Sequence, residues 1–183
     1  MFENTALLII DLQLGSFSEN KPVHNGNELL NNIQHLITRS RTLKIPILFT
    51  QHNGKAGTLT QKGTIGWEIH TSLSVLYEDI IIKKNYPDSF QLTDLHLELE
   101  KKNINQIIVT GIQSEICVDA TCRSAFSKGY KVILVEDANS TFDTDCLTAP
   151  QIIKHHNNLQ AQWFSTLKKT KEILVNLSPT NHE

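Results

Sequence analysis

Five short runs of near-continuous hydrophobicity recur along this chain, and the stretches between them are amphipathic. The runs are ALLIID (6–11), PILFTQ (46–51), DIIIKK (79–84), QIIVTGI (106–112) and KVILVED (131–137). Runs that are apolar on both sides of the pleat belong to parallel strands covered on both faces. Parallel neighbours need long crossovers, and the intervening segments are patterned to supply them as helices. NELLNNIQHLITRSRTL sets Leu29, Leu30, Ile33, Leu36 and Ile37 on one stripe. Thr93 is placed to cap a helix through DLHLELEKKN, and CVDATCRSAFSKG reads as another, stopped by Gly129. A further helix is expected over about 145–160, with Pro150 in its first turn or at a kink. An edge strand near AQWFST (161–166) and a short terminal helix follow. The expected fold is α/β and doubly wound: a mostly parallel six-stranded sheet with helices on both faces, a Rossmann-like three-layer sandwich.

At 183 residues the chain is long enough for one sizeable core and short for two, so 1–183 is expected to be a single domain. A formal charge of −2 offers no basic footprint for nucleic acid and no polybasic patch for a membrane. The start, MFENTALLIIDLQ, has no cationic leader region, and its apolar run is too short for a signal or a span. Cys117, Cys122 and Cys146 form no CxxC pair, which argues against a disulfide framework or a cysteine zinc site and for a reducing, cytoplasmic setting. The histidines show no HxH or HExxH spacing, so no metal is expected. No GxGxxG or Walker pattern follows the first strand, so no nucleotide cofactor is expected either.

In doubly wound sheets ligands sit beyond the carboxyl ends of the strands. The residues there are Asp11, His52, Lys84, the turn 112–117 and Asp137. An acid at that rim serves as a general base, or is only the first solvated residue after a strand. Lys84 can hold neighbouring charges and bind developing negative charge, or be a solvated strand end. Cys117, at the start of a helix, can be a thiolate held by the dipole, or a small core hydrophobe. Each structural reading is adequate alone, but three strands delivering acid, amine and thiol to one rim favour the catalytic one. The loop 52–72 is long for a compact domain and is suspected of function, with Trp67 and His70 as wall residues or as packing over the sheet edge.

LLIIDLQLGSF, IIIKKNYPDSFQLTDL, VTGIQSEICVDATCRSAFSKGYKVILVEDANSTFD and QIIKHHN together resemble the isochorismatase-like cysteine hydrolases, in the right order over about 160 residues. The resemblance implies a catalytic triad of Asp11, Lys84 (rather than Lys83) and Cys117. It also implies a non-proline cis peptide at Ile112–Gln113, with the amides of Gln113 and Cys117 forming an oxyanion hole. Members acting on isochorismate cleave a vinyl ether and often lack the cysteine, so Cys117 points to covalent attack on a carbonyl. Nicotinamidases carry a DxH metal motif after the second strand; here FTQHN has Gln51 and no aspartate. Many relatives have an aromatic five residues after the first Asp, whereas Phe17 is six after Asp11.

The resulting expectation is a metal-independent amidohydrolase cleaving a small non-peptide C–N bond through a thioester. Its substrate would be a small amide or ureide, with Gln13, Phe17, His52, Trp67, Phe90 and Phe142 around the pocket. The resemblance further implies a homo-oligomer, dimer or tetramer. A low thiol pKa at Cys117 is part of this picture. The alternatives are a vinyl-ether hydrolase, or a binding module whose site is vestigial.

Overall fold

The computed structural model describes residues 4–176 and bears out the α/β class. Six strands, β1 (Thr5–Ile10), β2 (Ile47–His52), β3 (Ile80–Lys84), β4 (Gln106–Ile112), β5 (Lys131–Ser140) and β6 (Thr166–Lys168), form one sheet in the order β3-β2-β1-β4-β5-β6. Every pairing is parallel. β1 sits centrally and is buried along its whole length, the reason its run shows no polar alternation.

The helices are α1 (Gly26–Thr42), α2 (Leu95–Lys101), α3 (Asp119–Ser127), α4 (Ala149–Trp163) and α5 (Thr170–Asn176). The stripe Leu29, Leu30, Ile33, Leu36 and Ile37 of α1 is buried against one face of the sheet, where Ile173 of α5 joins it. Leu95 and Leu99 of α2, with Cys122 and Ala125 of α3, close the other face. Pro150 lies in the first turn of α4, where its missing N–H has no helical partner to lose. Thr148 and Gln151 close a capping box around it, Thr148 N–H donating to Gln151 Oε1 at 2.9 Å.

Three local expectations are corrected. AQW lies in the last turn of α4, and the edge strand starts at Thr166, because Gln160 anchors the helix end by donating to Asp119 Oδ1 at 2.8 Å. Asp94, not Thr93, occupies the cap position of α2, although the Thr93 hydroxyl accepts the Leu95 N–H at 3.3 Å. Asp137 is inside β5 rather than at the rim: its Oδ1 accepts the N–H and hydroxyl of Thr170, at 2.7 and 2.8 Å, and so holds the start of α5.

The β4–β5 pairing slips. Val109 faces Leu134 and Gly111 faces Asn139, so residues 135–138 oppose Thr110 alone. Asn139 and Ser140 thus pair with Gly111 and Ile112 at the end of β4, and the chain leaves the sheet after Ser140 towards Phe142. Gly111 has φ +118 and its Cα approaches the Ile10 backbone so closely that a Cβ would collide with it.

Candidate active site

The sheet order reverses direction between β1 and β4, and Asp11 and the turn after Ile112 flank that point. Asp11 adopts φ 51, a left-handed conformation that Asp tolerates better than most residues, and this turns the chain off the strand. Its carboxylate is held on both oxygens: Thr50 Oγ1 donates to Oδ1 at 2.6 Å, and Lys84 Nζ lies 2.6 Å from Oδ2. Asp11 N–H in turn donates to Thr50 Oγ1 at 3.1 Å.

Lys84 is fully buried while Lys83 is exposed, as strand alternation requires. Its ammonium also donates to the carbonyls of Tyr86 and Pro87, at 3.1 and 3.0 Å. Two carbonyls and a carboxylate thus surround the ammonium. Burial disfavours the ammonium, but the Asp11 carboxylate and then Cys117 outweigh it, and the lysine pKa stands above its ordinary value.

Ile112–Gln113 is a cis peptide bond. Beyond it a wide helical turn, Ser114–Val118, leads directly into α3. Gln113 O accepts the N–H of Ile116 and of Val118, both at 3.1 Å. Ser114 Oγ donates to Asn139 Oδ1 at 2.6 Å, and Asn139 Nδ2 donates to Val135 O at 3.0 Å and to Asn157 Oδ1 at 3.1 Å. The residues displaced by the β5 slip therefore anchor the turn that carries Cys117.

The Cys117 sulfur is in reach of both charges, with hydrogen-bonding and Coulombic influence from Asp11 and Lys84. The low thiol pKa expected from the sequence is not found. Burial pushes the thiol up, Asp11 pushes it further, and Lys84 only partly opposes them, leaving it at about 12. The cysteine is also the fourth residue of its helical segment rather than the first, which weakens the dipole argument. With its pKa raised this far, the resting side chain is a thiol rather than a thiolate.

A cavity of about 500 Å³ opens over these groups, lined by Asp11 and Cys117, and by Gln13, His52, Ile112, Gln113 and Phe142 among the residues anticipated from sequence. Gln13 fixes His52 from both sides, accepting its N–H at 3.0 Å and donating to its carbonyl at 3.0 Å. Burial lowers the His52 pKa; Asp11 opposes this and Lys84 adds to it.

Three proposed wall residues are elsewhere. Phe17 turns into the α1-side core and packs on His70, 4.7 Å between ring centroids, because the short helical turn Leu14–Phe17 gives the cavity Ser16 instead. Trp67 buttresses the loop: its carbonyl accepts Gln13 Nε2 at 2.7 Å and Gln51 Nε2 at 3.0 Å, and its indole donates to Asn53. Together with His70 it lines a separate groove. Phe90 is buried against Tyr130 on the opposite face of the sheet.

Sequence reasoning missed Ser16, Lys21, Leu59, Thr60, Pro87 and Ile116 on the cavity wall, and Thr50 behind it. Thr50 did leave a signal, as a polar residue inside an apolar strand. Leu59 and Thr60 lie in the long loop 52–72 already suspected of function, but no pattern within it singles them out.

Gln51, at the position of the metal-ligating aspartate, has its amide engaged by the Trp67 carbonyl. Among the described residues no three His, Cys, Asp or Glu side chains converge on a possible metal position. The residues present do not fit a metal.

The Isochorismatase domain model matches residues 5–154. An uncharacterised isochorismatase family protein of Bacillus subtilis (strain 168) is 36% identical over 140 residues, spanning 75% of this chain and 78% of its own. Nicotinamidase 3 of Arabidopsis thaliana is 32% identical over 154 residues, 76% of this chain and 75% of its own. A crystal structure of an isochorismatase family protein, 31% identical, superimposes with a TM-score of 0.87 over 92% of this chain and all of the other.

Proposed function

Given that the chain belongs to the isochorismatase family of hydrolases, we propose that it is a metal-independent cysteine amidohydrolase acting on a small, non-peptide C–N bond. One observation carries the reading: a protonated thiol, a carboxylate and an ammonium from three strands of the sheet meet under one cavity. A vinyl ether needs protonation and water, not a sulfur nucleophile; an amide carbonyl is what such a thiol attacks.

Asp11 takes the Cys117 proton as the sulfur adds to the carbonyl carbon. No thiolate need exist beforehand, which accords with the raised thiol pKa. The developing oxyanion is met by the amides of Gln113 and Cys117, in the first turn of a helical segment where N–H groups lack intrahelical partners. Asp11 returns the proton to the leaving nitrogen, the C–N bond breaks, and ammonia or an amine departs from a thioester. Water then adds to the thioester, again losing its proton to Asp11, and the sulfur leaves and is reprotonated. Lys84 keeps Asp11 oriented and compensates its charge throughout. A free thiol of this kind works in a reducing compartment, in keeping with a cytoplasmic enzyme.

The test is ammonia release from a panel of small amides, ureides and carbamoyl compounds by the wild type and by Cys117→Ser. Wild-type turnover with trapping of a Cys117 acyl adduct is expected. A Cys117→Ser variant that hydrolysed the same amide at the wild-type rate would refute the mechanism, and one that cleaved isochorismate would favour vinyl-ether chemistry.

A further inference from the structure

The cavity holds one cation that the hydrolytic groups do not balance. Asp11 and Lys84 neutralise each other at 2.6 Å, the Cys117 thiol is protonated, and burial favours a neutral His52. Lys21 lines the same cavity, and its ammonium stands 5.7 Å from the ring centroid of Phe142, another wall residue. Among the described residues no carboxylate lies within ion-pair distance of it. On another wall residue, His52, the Nδ1 atom is buried and has no hydrogen-bond partner. Buried polar atoms in native proteins are almost always satisfied, so this one calls for a group that a ligand brings. Ser16 and Thr60 add polar groups to the wall, and Leu59, Ile112 and Ile116 make the rest apolar.

We infer that the substrate is a small monoanionic amide, whose amide end reaches Cys117 and whose negative group is met by Lys21 at the Phe142 wall. The inference rests on the amidohydrolase reading. A volume of about 500 Å³ admits a compact molecule of this kind. Hydrolysis exchanges –NH2 for –O⁻ with release of ammonia, so the product carries a second negative charge. Among the described residues lining the cavity, Lys21 is the one free cation to face it, which favours departure of the product.

The charge preference can be read without knowing the substrate. Iodoacetate and iodoacetamide both alkylate a thiol with loss of iodide and differ chiefly in charge. Relative to the ratio for free cysteine, Cys117 is expected to favour iodoacetate by about fivefold at low salt. That preference is expected to fall as salt is added. Lys21→Gln is expected to return the ratio to that of free cysteine. A ratio unmoved by Lys21→Gln, or a preference for iodoacetamide, overturns the inference. A second arm compares ammonia release from amidic acids and from their methyl esters. Faster Cys117-dependent hydrolysis of the acids supports the inference, and faster hydrolysis of the esters overturns it. If no member of the panel is hydrolysed while the alkylation preference persists, the amidohydrolase reading fails and the anion-binding role of Lys21 stands.

Discussion

Lys84 Nζ lies 2.6 Å from Asp11 Oδ2 with both side chains shut away from solvent. Desolvating two charges offsets much of their attraction, so such a pair is weak evidence for stability and better evidence for chemistry. Losing one partner is another matter, because the survivor is left charged and buried. Lys84→Met is expected to destabilise the protein by about 3 kcal/mol in urea unfolding. The double variant Asp11→Asn/Lys84→Met should recover part of that loss while remaining inactive. If the double variant were the less stable of the two, the pair would be a structural element in its own right.

The raised Cys117 pKa sets the pH behaviour of alkylation. Iodoacetamide labelling of Cys117 should keep rising with pH beyond 9, since the thiol stands at about 12. Asp11→Asn removes the second cause of the shift after burial, so the rise should move to lower pH even though turnover is lost. Lys84→Met removes the one charge favouring the thiolate and should move it higher. Labelling that saturated below pH 8.5 in the wild type would contradict the geometry.

The same shift links to stability. A thiol titrating at 9.0 when unfolded and at about 12 when folded binds more protons in the native state between those values. Its contribution is complete below about pH 9 and is lost as pH rises towards 12. Cys117→Ser should therefore lose less stability than the wild type between pH 8 and pH 10.5, measured by urea midpoints at each pH.

Thr50 is the other support of the carboxylate. Thr50→Val keeps the shape but removes the 2.6 Å bond to Asp11 Oδ1 and the acceptor of the Asp11 N–H. A cost of about 1–3 kcal/mol is expected from the unsatisfied buried groups. A fall of roughly tenfold or more in kcat should accompany it, with KM little changed. A variant with wild-type kcat would show that Lys84 alone suffices to position Asp11.

Gly111→Ala asks whether the approach of β4 to β1 is obligatory. Alanine at φ +118, colliding with the Ile10 backbone, should destabilise by more than about 2 kcal/mol in thermal unfolding.

The framework and the placing of Asp11, Lys84 and Cys117 together were readable in the sequence for the same reason. A parallel sheet buried on both faces writes itself as uninterrupted apolar runs, and its reactive rim is wherever those runs stop. Asp11, Lys84 and the Cys117 turn are such stopping points. The cavity wall was readable in part: Gln13, His52 and Phe142 line it as expected, while Phe17, Trp67 and Phe90 do not. Ser16 and Phe17 are adjacent, and only the pitch of one short helical turn decides which faces the cavity and which the core. Trp67 has the composition of a pocket residue but is used through its backbone carbonyl, which no side-chain pattern records. The thiol pKa was misjudged because the helix start and Lys84 were weighed as lowering it, whereas burial is the largest influence and the Asp11 carboxylate adds to the rise.

Residues 135–138 of β5 stand opposite Thr110 alone, and beyond that surplus the chain leaves the sheet to place Phe142 on the cavity wall. The ladder below is already complete by Val109 and Leu134. A change in the length of that surplus would shift the Phe142 wall while the ladder up to Val109 and Leu134 stays in register.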